Sequence, residues 1–160
     1  MQEGEIALVS FEQIEILMEG IGPILDPLAI DFLAEAQAWA VAIEEDLAVL
    51  IQFDDRKNCL VLTTDLGSTP AGDRTALYET LMQLNYHWEA TGGVRMAVDQ
   101  AGGDVMQIYE ISAENMDFGR LAETIAAFAA MASAWRRVVE RPSSAESVSP
   151  DTSSNFDMRV

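Results

Sequence analysis

The sequence predicts an α+β fold, helices packed on an antiparallel sheet in the order α-β-β-β-α-β-β-α. Three observations carry that prediction. Between Ala38 and Asp65, three apolar runs are separated by short polar turns, the first alternating every second residue. Between Val94 and Ile111, two further runs flank Gln100-Ala101-Gly102-Gly103, which reads as a hairpin turn. Before, between and after these two blocks, the apolar period lengthens to that of a helix.

Taken in order, Ser10 followed by Gln13 forms a capping box that opens the first helix. Phe11, Ile14, Leu17, Met18 and Ile21 make its apolar stripe, and Gly20, Gly22 and Pro23 stop it. The next segment, ILDPLAIDFLAEAQ, fits neither period and reads as an irregular crossing or a short strand. Trp39, Val41 and Ile43 then share one face of a strand, with alanines at 38, 40 and 42 on the other. LAVLIQF and CLVLTTD follow, after the turns at Glu44-Glu45-Asp46 and Asp54–Asn58, and complete an antiparallel meander.

A second helix is expected from Asp73 to Ala90, its stripe made by Leu77, Leu81, Leu84 and Trp88 and widened by Tyr78 and Met82. Thr91-Gly92-Gly93 ends it, because glycine accepts the left-handed conformation that follows a helix. The strands VRMAVD and DVMQIYEI come next. The third helix is capped by Asp117 and carries Phe118, Leu121, Ile125, Phe128, Ala132, Trp135 and Val139 along one side. After Pro142 the composition turns to serine, proline and isolated acids. Residues 1–141 are expected to form the domain and 142–160 a disordered tail.

With 27 acidic and 9 basic residues, the net charge of −18 repels phosphate backbones and disfavours nucleic-acid binding. It suits a soluble acidic protein, a holder of basic or unfolded chains, or a mimic of nucleic acid. No apolar stretch is long enough to predict a membrane span. MQEGEIALVS has no basic region leading into an apolar core, which argues against a secretory signal peptide. The single Cys59 forms no internal disulfide, which suits a reducing cytoplasm.

Catalytic chemistry finds little support. Cys59 starts an apolar strand and reads as a small buried hydrophobe, and His87 as a boundary residue of the second helix. There is no phosphate loop, zinc spacing or EF-hand pattern, so no enzyme activity, cofactor or metal is expected. Five methionines (Met82, Met96, Met106, Met116, Met131) in the second half are adaptable side chains that suit either a core or a surface for varied partners.

LMQLNYHWEATGG running into VRMAVD resembles a pattern of the type III secretion chaperones of the Tir-chaperone (CesT-like) family. Leu81, Leu84, Asn85, Gly92 and Gly93 carry the match. The block AIEEDLAVLIQFDDRKNCLVLTTDLG resembles the family's three strands and the loop holding Pro70. The resemblance runs from Phe11 to about Glu140.

It implies a secretion-chaperone-like domain without enzymatic activity, working as a homodimer in the bacterial cytoplasm. Such a chaperone binds the N-terminal region of a secreted effector in extended form and keeps it secretion-competent. By that resemblance, Ile14, Leu17, Met18, Trp39, Val41 and Ile43 would line the effector grooves. Leu77, Leu81, Leu84, Trp88, Val94 and Met96 would form the dimer interface. YbjN-type bacterial regulators resemble the same architecture and also carry an Asn after the second-helix leucines, so a regulatory or interaction domain is the alternative.

Overall fold

The computed structural model describes residues 8–141; the segment 142–160, expected to be a tail, lies outside the described residues. The elements are α1 (Phe11–Gly20), α2 (Gly22–Leu25), β1 (Ala29–Leu33), β2 (Ala38–Glu44), β3 (Leu47–Asp54) and β4 (Cys59–Asp65). They continue with α3 (Arg74–Tyr86), α4 (Trp88–Thr91), β5 (Arg95–Val98), β6 (Val105–Ser112) and α5 (Phe118–Glu140); a single 3-10 turn, Ala71–Asp73, leads into α3. All six strands join one sheet in the order β1-β2-β3-β4-β6-β5, and every neighbouring pair is antiparallel.

Register follows from one face being buried. Val41 pairs with Val49, Ile51 with Leu62, Leu60 with Ile111 and Met96 with Gln107, which aligns the apolar side chains on the side facing the helices. α5 lies across that side and buries Leu121, Ile125, Phe128, Ala132 and Val139. α1 adds Ile14, Met18 and the following Ile21 to the same core. The two helices meet where the Phe118 ring covers Gly20 so closely that no Cβ would fit there.

The caps expected of the sequence are both formed. Ser10 and Gln13 exchange side-chain and backbone hydrogen bonds, and the Asp117 carboxylate accepts from the Arg120 N–H at 2.8 Å. Two differences from the expected order stand out. The segment left open between Pro27 and Gln37 contains β1, a sixth strand that pairs with β2 from Ala29↔Ala42 to Leu33↔Ala38. The second helix is also interrupted. His87 takes ψ near 48°, so α3 ends at Tyr86 and α4 begins at Trp88. The break rotates Trp88 off the stripe of Leu77 and Leu81 and leaves it 62% exposed.

Asn85 ties α3 to the sheet. Its Nδ2 donates to the Met96 carbonyl at 2.9 Å, and its Oδ1 accepts from the Met96 N–H at 2.8 Å. Met96 lies on β5, an edge strand, so one side chain supplies both a donor and an acceptor where a seventh strand would otherwise sit. Gly92 then reverses the chain with φ 65°, and Thr91 Oγ1 donates to the Val94 carbonyl. Asn85→Leu removes both bonds and leaves the Met96 backbone groups unpartnered. The expected loss of stability is about 2 kcal/mol, read as a lower urea midpoint. Asn85→Asp, which keeps only the acceptor, falls between the two.

Candidate functional site

At the opposite edge of the sheet, β1 has among the described residues no side-chain clamp of the kind that Asn85 provides for β5. Four of its five residues are exposed, among them Phe32 and Leu33. Leu28, just before the strand, and Ile24 in α2 add further exposed apolar surface. The strand is placed by its pairing to β2, which sets Phe32 opposite Trp39 on the helix-facing side.

Three aromatic rings meet there. Phe11 stacks on Trp39 with centroids 5.2 Å apart, Phe32 tilts against Trp39 at 5.1 Å, and Phe11 meets Phe32 edge-on at 6.0 Å. Trp39 is buried beneath the other two, whereas Phe11 and Phe32 reach solvent. Beside the rings lies a cleft of about 310 Å³ lined by Glu15, Met18, Glu19, Ile30, Phe32 and Trp39. A second cleft, of about 340 Å³, opens across α1 between Leu8, Ile16 and Leu17 on one side and Ala113 and Met116 on the other. Apolar surface of this kind, next to unpaired strand backbone, suits an extended polypeptide whose alternate side chains need pockets.

Of the residues the resemblance assigns to effector binding, Ile14, Met18, Trp39 and Val41 are buried in the core, while Leu17 and Ile43 are half-buried. Met18 and Trp39 nonetheless form part of the 310 Å³ cleft, and Leu17 part of the other. Ile43 lines a different depression, against Ala126 and Ala129 of α5. Helical and strand periodicity selects core positions, so it passes over Phe32, Leu33, Leu28 and Ile16. The sequence signal for them was the density of apolar residues in a segment with no clear period.

The dimer residues divide in the same way. Leu77, Leu81, Val94 and Met96 are buried within the protomer and hold α3 and β5 together. Leu84 is half-buried and Trp88 exposed. The open face of α3 is a broad shallow surface formed by Thr75, Tyr78, Glu79, Met82, Gln83, Tyr86 and His87, with Met82 and Tyr86 strongly exposed.

Of the residues considered for chemistry, His87 borders the open face of α3, while Cys59 lies apart from these surfaces. Cys59 is buried at the start of β4, and burial followed by the nearby charges of Asp54 and Glu110 pushes its thiol up, away from thiolate. Hydrogen bonding to Arg95, with help from Lys57, holds Glu110 below the usual carboxylate range on the sheet's other face. Near the β5–β6 turn, the charge of Asp65 and a shared hydrogen bond raise Asp104. Among the described residues, no group of three His, Cys, Asp or Glu is arranged to hold a metal ion, and no helix is long and apolar enough to cross a membrane.

The Tir chaperone protein (CesT) family profile matches residues 29–136. Comparison with curated proteins by sequence gives no match. Among solved structures, a chain of the ExsC–ExsE complex is similar at 17% identity and a TM-score of 0.67, over 81% of this chain and 95% of that one. A chain of the structure of the Yersinia pestis type III secretion chaperone SycH, solved with a stable fragment of YscM2, is similar at 20% identity and a TM-score of 0.56. That match covers 74% of this chain and 96% of the other. YbjN of E. coli is similar at 10% identity and a TM-score of 0.57, over 82% and 91%. Identities this low speak for the fold alone, and YbjN shares it. The profile match, by contrast, is to one family and covers more than half of the chain, from the first residue of β1 into α5: the chain belongs to the Tir chaperone protein (CesT) family.

Proposed function

We propose that this protein is a type III secretion chaperone that acts by binding, with no chemical step, in the bacterial cytoplasm. Its client would be the N-terminal region of a secreted effector, held in extended form and kept soluble and secretion-competent. One observation carries the reading: an aromatic platform open to solvent lies beside an edge strand with exposed apolar side chains. A client strand added to β1 would satisfy that edge, and its apolar side chains would enter the cleft beside Phe32. The similar structures support this, since the type III secretion chaperone SycH was solved in complex with a fragment of another protein.

We further propose a homodimer joined through the open face of α3, with Met82, Tyr86, Leu84 and Trp88 at the contact. Leu77, Leu81, Val94 and Met96 would support that face from below. Aspartate at Leu81 would therefore damage the protomer itself, because that side chain is only 5% exposed. Tyr86→Asp, at a position 80% exposed, tests the contact without that penalty. Sedimentation is expected to show a folded monomer; an intact dimer would move the interface elsewhere.

For client binding, Phe32→Ser is expected to keep the fold and to weaken effector capture from the native cell at least tenfold, about 1.4 kcal/mol. Trp39→Ala removes a core ring as well and is expected to destabilise the protein by about 3–5 kcal/mol. Full client binding by a folded Phe32→Ser variant would exclude the β1 edge as the docking site.

A further inference from the structure

The chemistry of the client can be narrowed by where the charge lies. Thirteen acidic residues precede Arg56, and that stretch contains no Lys, Arg or His. α1, β1 and the first turns of the sheet are therefore built with carboxylates alone. Glu15 and Glu19 are one helical turn apart, four and eight residues after Phe11, so they share its side of α1. Both line the cleft beside Phe32 and Trp39. Asp31 pairs with Ala40 and points to the other face of β1. The ion pairs of the described residues involve Asp46, Glu110 and Glu140, and none involves Glu12, Glu15, Glu19, Asp31 or Glu35. The floor of the cleft is apolar and its rim is anionic on both sides of the strand.

Resting on the docking reading above, we infer that the β1 edge selects extended segments in which apolar anchors alternate with or adjoin lysine or arginine. An apolar side chain enters the cleft over Trp39 and Phe32. Basic residues beside it reach Glu15 and Glu19, and a basic residue on the opposite face of the added strand meets Asp31. Long basic side chains suit this arrangement, since their methylene stems cover apolar surface while their charge stays at the wet rim. An acidic or phosphorylated segment of the same apolar pattern is repelled. Charge complementarity of this kind adds little affinity per exposed pair, but it sets the encounter rate and rejects wrong partners.

The test uses the full chain and three labelled synthetic peptides that share one alternating leucine pattern, with lysine, glutamine or glutamate between the leucines. At low salt the lysine peptide is expected to bind roughly tenfold more tightly than the glutamine one, as a few exposed pairs would give. The glutamate peptide is expected to bind more weakly still. Glu15→Gln, Glu19→Gln and Asp31→Asn together should erase the preference, as should about 1 M salt. Neutralising Glu89, Asp99 and Glu123 instead, three exposed carboxylates away from β1, should leave it intact. Equal binding of the lysine and glutamine peptides would overturn the inference. So would a preference reduced as much by the distant triple variant as by the near one, which would assign it to net charge. Failure of the docking reading looks different: Phe32→Ser would then leave the binding of all three peptides unchanged.

Discussion

An open antiparallel sheet ends in two strands with unpaired backbone groups, and this fold depends on treating its two ends oppositely. At β5 the end is closed by one side chain. Asn85 returns a donor and an acceptor to Met96, the pair a neighbouring strand would supply, and so stops the sheet and fixes α3 against it. Aspartate could accept but not donate, and an apolar residue could do neither. β1 has no such stop among the described residues. Its backbone edge adjoins the exposed Phe32 and Leu33, an arrangement that invites pairing with another chain.

That asymmetry explains why parts of the fold could be read in the sequence and others could not. Elements buried on one face announce themselves: β2, β3 and β4 alternate because Val41, Val49, Ile51 and Leu62 need the core and their neighbours do not. Capping is equally visible, since Ser10, Gln13 and Asp117 are chosen for their side-chain oxygens or amides. β1 has exposed residues on both faces, so no alternation is enforced on it, and it is only five residues long. The interruption at His87 was hidden for a related reason. The apolar spacing runs through it unbroken, but Trp88 is apolar for the sake of a surface rather than the core.

The functional residues were harder to read than the fold. Periodicity reports which side chains a protomer buries for itself, so it led to Ile14, Met18, Val41, Leu77 and Leu81, all covered within the chain. Residues free to meet a partner are the apolar ones that periodicity does not require, such as Phe32, Ile16 and Tyr86. Asn85 is the instructive exception. It carried the family resemblance, and its work is internal, on the backbone of β5. The signature marks the fold, and it sits at the edge of the sheet opposite β1.

The physics of the β1 edge also limits what can bind there. A segment that becomes an added strand gives up roughly 1–2 kcal/mol of backbone freedom per residue. Edge hydrogen bonds form at alternate residues and contribute about 1 kcal/mol each in net terms, so they do not offset that loss unaided. Burial of apolar side chains must supply the remainder. Phe11 and Phe32 are already held in place by the buried Trp39, so the chaperone itself has little to reorganise when a client arrives. Most folded proteins cover their strand edges and bury their apolar side chains, so they have little to offer such an edge. With a client docked on β1 as proposed, selection by conformational state would come before selection by sequence: the edge would engage chains while they are unfolded.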